Sequence, residues 1–181
     1  MAKGTKRLAD RISEPAYLSD LEKLSAPELK TCRREVGELE AELSYARRLL
    51  QGKIDILRHE LIRRREGGGA DVDTLISSLP AILADTGRSG IGRHVDIAVP
   101  PGADRRRREV EKLVSDATLT DLSSLSVEEL AALLDQLVQA EVSASEERRV
   151  ALSVLDRLEE ETVRRYRDGI QDVSALLGTD S

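Results

Sequence analysis

The sequence has no tryptophan, no phenylalanine and only three tyrosines among 181 residues. Large aromatic side chains fill most globular cores, so a thick globular interior is not expected. A single cysteine, Cys32, excludes an internal disulfide and fits a reducing, cytoplasmic setting. Early in a helix and close to an apolar seam, it reads as a packing residue. No run of about 18 apolar residues occurs, so nothing is expected to span a membrane. The opening stretch, MAKGTKRLADRISEP, lacks the apolar segment of a secretory signal. His59 and His94 are far apart and lack companion ligands, so neither a metal site nor a bound cofactor is expected. The glycines in GRSGIGR, residues 87–93, follow no strand and form no G-x4-G-K-[ST] loop. No nucleophile–base set is suggested, and the acidic residues have no cleft to shift their pKa values. Catalysis has no place to occur, and the chain does not read as an enzyme.

What is present is charge and leucine. Asp, Glu, Lys and Arg make up 34% of the chain, and the apolar residues are mostly Leu, Ala and Val. Long helices and coiled coils have this composition. The 34 acidic residues outnumber the 28 basic ones, giving a net charge of −6 that argues against general nucleic-acid binding. The basic run at residues 105–108 is flanked by Asp104 and Glu109, and reads as a solvated helix face.

The strongest feature is a duplication. Shifted by 101 residues, positions 16–68 overlay 117–169 without a gap, with 18 identities in 53 positions. Unrelated sequences of ordinary composition share roughly 3 or 4. The chain therefore divides into a flexible N-terminus (1–15), a first repeat (16–68), a linker with short helices (69–116), a second repeat (117–169) and a tail (170–181). Each repeat opens with a short apolar turn (Leu18, Leu21, Leu24; Leu119, Leu122, Leu125) and then a capping box, Ser25 with Glu28 and Ser126 with Glu129. Pro27 falls in the first helical turn, where its missing N–H costs nothing. Long helices are predicted over 26–66 and 127–167, ending at glycine-containing stops. At 1.5 Å per residue each is roughly 60 Å long. A helix of that length is stable only when an apolar stripe packs on a partner.

The stripe is there. In the first helix it comprises Leu39, Leu43, Ala46, Leu50, Ile54, Leu57 and Leu61. In the second it comprises Leu133, Leu137, Ala140, Ala144, Ala151, Leu155 and Leu158. Spacings of three and four make a coiled-coil seam. The expected fold is all-α: an antiparallel two-helix coiled-coil hairpin from an internal duplication, with short accessory helices and a long flexible linker. Within that linker, DVDTLISSLPAILAD is predicted to form a helix broken near Pro80, and DRRRREVEKLVSD a second one. A plain helical hairpin needs only two to eight connecting residues, so so long a linker has a function of its own or lacks order in part.

Beside the seam runs a polar pattern. The first copy has Glu40, Ser44, Arg47, Gln51 and Asp55, which is E-x3-S-x2-R-x3-Q-x3-D. The second has Glu141, Ser145, Arg148 and Asp156, with Leu152 in place of the glutamine. At about 100° per residue these offsets stay within an arc of roughly 80°, a stripe roughly 22 Å long. Antiparallel pairing of the two helices would turn both stripes to the same side. Arginine presents a planar fork of donors suited to two acceptors on one edge, such as O6 and N7 of guanine. Asp55 and Asp156 can accept from guanine N1–H and its amino group. Arg48 and Arg149 could join in holding phosphates, and small serines let a base approach the backbone. Taken singly, each of these residues could be a solvated charge or half of an intrahelical Glu–Arg pair.

The doubled signature resembles that of the RsiG family, actinobacterial anti-sigma factors that sequester the sporulation sigma factor WhiG. The resemblance spans both repeats. It implies that the motifs on two antiparallel helices bind a dimer of cyclic di-GMP, and that the loaded protein keeps the sigma factor from RNA polymerase. By that resemblance Arg47, Asp55, Arg148 and Asp156 are the leading base contacts, then Ser44, Gln51 and Ser145, then Glu40 and Glu141. The first copy matches every motif position. Leu152 breaks the second, so the half-sites are expected to differ. The implied partners are a WhiG-type sigma factor and cyclic di-GMP, with no direct nucleic-acid contact and no membrane. The rival expectation is a structural or self-associating coiled coil without a nucleotide ligand.

Overall fold

In the computed structural model, residues 7–19, 21–67, 100–115, 118, 119 and 121–168 are described. Among them every regular element is helical: α1 (Leu8–Ile12), α2 (Ala16–Ser19), α3 (Ala26–Arg65), α4 (Ala103–Leu113) and α5 (Val127–Arg167). A 3₁₀ turn precedes each long helix, at Leu21–Lys23 and Leu122–Ser124. The all-α fold follows from the duplication, with α3 and α5 as its two long helices packed together. The segment around Pro80, the glycines of 87–93, His94 and the 170–181 tail lie outside the described residues.

Both long helices begin at the capping boxes. The Ser25 N–H donates to Glu28 Oε2 at 2.7 Å, and the Ser126 N–H to Glu129 Oε2 at 2.7 Å. The second box is reciprocal, since the Glu129 N–H donates to Ser126 Oγ at 3.2 Å. These bonds favour the charged carboxylate. The Ser25 hydroxyl and then its backbone N–H hold Glu28 below the usual carboxylate range, and the Ser126 N–H and then its hydroxyl do so for Glu129. At its far end α3 stops at Gly67, whose φ of +83° is a left-handed conformation that costs glycine nothing.

The chain forms two compact units, and each takes part of both repeats: Met1–Ala41 with Glu146–Ser181, and Glu42–Ser145. In the first unit Arg33 pairs with Glu159 and Arg148 with Glu40, so position falls along α3 as it rises along α5. The segments are antiparallel. Leu29, Val36 and Leu39 of α3 and Ala151, Val154 and Leu158 of α5 are buried there, as are Ala9 and Ile12 of α1. Within this unit the predicted seam slips at one point, where Val154 is buried and Leu155 only half-buried; in the other unit Leu130 is buried, and the predicted Leu133, Ala140 and Ala144 are half-buried. Val154 lies two heptads beyond Ala140, in phase with Ala151 and Leu158 as they follow Ala144, and Leu155 lies one residue out of that phase. Tyr17 also lies in this unit. Burial first, and then its neighbour Cys32, push its hydroxyl up to about 12.

In the second unit Leu43, Ala46, Leu50, Ile54, Leu57 and Leu61 of α3 are all buried. Leu50, Ile54, Leu57 and Leu61 share one core with Leu122, Leu130 and Leu137, and with Val110 and Val114 of the α4 region. Helix α4 is held at both ends. Its first turn brings Arg105 and Arg106 to Glu42. Its last carbonyls end at Val114, whose oxygen accepts from the buried Lys53 ammonium at 3.0 Å. A carboxylate at the start and a cation at the end both complement the helix dipole. The basic run is thus not wholly a solvated face: Arg105 is 58% exposed, but Arg106 is only 14% exposed against Glu42.

One arrangement is built twice. At the end of α3, the buried Glu60 accepts from Arg63 Nε at 2.8 Å and from Arg64 Nε at 2.6 Å. Arg64 then donates to the carbonyls of Leu122 and Leu125 in the 3₁₀ turn before α5. At the end of α5, Glu161 accepts from Arg164 at 2.9 Å and Arg165 at 2.7 Å, and Arg165 donates to Leu21 and Leu24 at 2.7 Å. Each arginine ties the end of one repeat to the beginning of the other within a single unit.

Three outcomes are expected. Removing a buried partner leaves a charge uncompensated, so Arg165→Met lowers stability by about 3 kcal/mol, read from urea unfolding. Burial works to raise the Glu60 carboxyl, but hydrogen bonds from Arg63 and Arg64 outweigh it and hold it low. For Glu161 the Arg164 bond is the largest influence, and again the carboxyl is held low. Groups with a depressed folded pKa stabilise fully above the ordinary glutamate value of about 4.3 and lose that contribution as pH falls below it. The unfolding midpoint therefore stays level near neutral pH and drops below about pH 4.5, and Glu60→Gln with Glu161→Gln flattens the drop. Finally, Gly102 caps α4 at φ +84° beside the Glu42 carboxylate, where a Cβ would collide. Gly102→Ala costs about 1 kcal/mol or more, seen as faster amide exchange in α4.

Candidate functional site

The motif residues sit in the middle of the long helices and divide between the units. The unit Glu42–Ser145 holds Ser44, Arg47, Gln51, Asp55, Glu141 and Ser145. The other holds Glu40, Arg148 and Asp156.

In the Glu42–Ser145 unit, one carboxylate oxygen gathers most of the polar stripe. Glu141 Oε1 accepts from Arg47 Nε at 3.0 Å, from Ser145 Oγ at 2.8 Å and from Gln51 Nε2 at 3.4 Å. Ser145 lies one turn along the same helix, while Arg47 and Gln51 reach across from α3. The Arg47 and Glu141 side chains are 26% and 19% exposed, so the pair borders the seam without being sealed inside it. Among the described residues, Arg47 uses only Nε in this way, and its two Nη groups make no hydrogen bond. Ser44 is half-buried and Gln51 exposed. Asp55 Oδ1 lies 4.0 Å from Arg58 Nη1, with the Asp55 side chain 19% exposed.

In the other unit, Arg148 Nε donates to Glu40 Oε1 at 2.8 Å. This pair is the Arg47–Glu141 pair moved by one repeat. Leu152 stands where Gln51 stands in the first copy and has no polar group to add a bond to Glu40. The second aspartate differs as well. Asp156 is exposed and lines a shallow depression with Glu159, Val163 and Arg164. Arg48 and Arg149 are both exposed.

The Glu–Arg pairs therefore join two helices and are not intrahelical. An interhelical pair was not expected from the sequence, because both residues sit on the same stripe of their own helices and the pairing crosses copies. Nor did the stripe include the terminal clamps Glu60–Arg64 and Glu161–Arg165. Their signal was present: both pairs are identities of the duplication. They lie on the seam, at three and seven residues beyond Leu57 and Leu158, where a charged residue reads as an interruption. Among the described residues, no cluster of His, Cys, Asp and Glu could hold a metal ion. No described helix is long and apolar enough to cross a membrane.

A family model described as RsiG-like matches the chain twice, over residues 15–79 and 116–179. Each match takes in one repeat and runs on past its end, and together they cover well over half of the sequence. No curated protein matches the chain. The doubled motif, the paired long helices and the double match agree: this chain belongs to the RsiG-like family.

Proposed function

We propose that the chain is an anti-sigma factor that binds cyclic di-GMP through its duplicated motif and, when loaded, sequesters a WhiG-type sporulation sigma factor from RNA polymerase. Membership of the RsiG-like family supports the anti-sigma role. The observation that carries the ligand reading is the polar group around Arg47, which keeps a partly exposed guanidinium beside an amide and a serine hydroxyl. A fork of donors held in this way suits the O6 and N7 edge of guanine.

In this reading Arg47 and Arg148 hold guanine edges or phosphates. Asp55 and Asp156 accept from the base N–H groups. Ser44, Gln51 and Ser145 complete the half-sites, with Glu40 and Glu141 behind them. Each unit offers one half-site, and the one with Arg148 is poorer by a side-chain amide because Leu152 replaces the glutamine. The ligand acts by differential affinity: it favours whichever arrangement binds it best, and the sigma factor selects the same arrangement.

Isothermal calorimetry with cyclic di-GMP tests the reading. Wild type is expected to bind. Arg47→Ala and Asp55→Ala are expected to weaken binding by about 10- to 100-fold, the usual cost of losing a bidentate base contact. Co-elution with a WhiG-type sigma factor should be stronger with ligand than without. A purely structural coiled coil would give no heat and an unchanged melting temperature with ligand added, and that result would end the proposal.

A further inference from the structure

The two motif glutamates do not occupy equivalent surroundings to the other site residues. Glu141 presents Oε1 to three donors at once, of which Ser145 sits on its own helix and fixes the carboxylate in place. An oxygen so fully engaged is a poor further acceptor. Its negative charge would also oppose a phosphodiester brought against it. Its effect on Arg47 is different. It takes the Nε donor and, among the described residues, leaves both Nη donors without a hydrogen bond. A guanidinium pinned by one edge keeps its remaining fork aimed, and loses less freedom when an acceptor arrives. The Glu40–Arg148 pair repeats the Nε contact at 2.8 Å.

We infer that Glu141 and Glu40 are positioning residues that each serve the arginine of the opposite repeat: Glu141 aims Arg47, and Glu40 aims Arg148, toward the guanine-containing ligand. This rests on the functional reading above. It gives the duplication a specific consequence, because neither repeat carries both halves of one working pair. The arginine of each half-site comes from one copy and its support from the other.

A double-mutant cycle on the full chain, read by calorimetry with cyclic di-GMP, tests the assignment. Glu141→Gln is expected to weaken binding about tenfold. In an Arg47→Ala background the same change should add nothing, because there is no arginine left to aim. In an Arg148→Ala background it should keep its full effect. Glu40→Gln should mirror this, coupled to Arg148 and independent of Arg47, and provides a second cycle should the first variant fold poorly. A merely structural role would instead lower the melting temperature of the ligand-free protein and couple equally to both arginines. Full additivity of Glu141→Gln with Arg47→Ala would make Glu141 a direct ligand contact and overturn the inference. Failure of the wild type to bind at all would overturn the functional reading, and this inference with it. Binding by wild type with additive losses would overturn this inference alone.

Discussion

The buried Glu–Arg clamp at the end of each long helix fixes how the duplicated chain goes together. Glu60 and Glu161 lie at seam positions where a coiled coil ordinarily has apolar side chains. Burying a carboxylate there is costly unless it is paired and hydrogen-bonded. Two arginines meet that requirement in each case, and one of the two extends onward to carbonyls of the other repeat's leading turn. Leucine contacts alone permit a helix to slide by a heptad with modest loss. A guanidinium seated on two particular carbonyls does not, because a slide would strand both the charge and the turn. Within each unit the clamp thus selects one register. The mid-helix Arg47–Glu141 and Arg148–Glu40 pairs fall into place as a result.

The two copies have diverged around that shared frame. Helix α4 packs into the Glu42–Ser145 unit using Val110 and Val114, and is held by Glu42 and Lys53. One repeat later, these two positions are Ser143 and Val154, which can supply neither charge. Val154 is buried instead, an apolar substitute for a lysine. The copies differ in the same way where Leu152 matches Gln51, and where Asp156 is more exposed than Asp55. The duplication has kept the arginines, the glutamates and the clamps, and released the residues that attach accessory elements.

Much of this was legible in advance, for physical reasons. The capping boxes, the glycine stop and the seven apolar positions of α3 are local or periodic features, and sequence records such features directly. All seven predicted α3 seam residues are buried. The α5 seam was harder to read because alanine and valine alternate with leucine there, so that Val154 and Leu155 compete for one position. The motif stripe was legible because it occurs twice. Its internal pairing was not: a bond between Arg47 and Glu141 depends on register across 94 positions, which no local pattern encodes. The role of Arg106 was hidden likewise, since its partner Glu42 belongs to another helix.

Each unit contains a length of both repeats, which defines the job of the segment that joins them. Neither unit can be assembled from one repeat by itself. The covalent connection therefore acts through effective concentration: it makes the meeting of two long helices a unimolecular event, independent of how dilute the protein is. Lengthening such a connection raises the cost only logarithmically, by about 0.6 kcal/mol for each doubling. Helix α4 is committed to the core of one unit, but the number of residues between Gly67 and α4 is almost unconstrained by folding, and free to be set by other demands. If the connection were cut after assembly, the two pieces would still be held by the same clamps, and would part only on dilution.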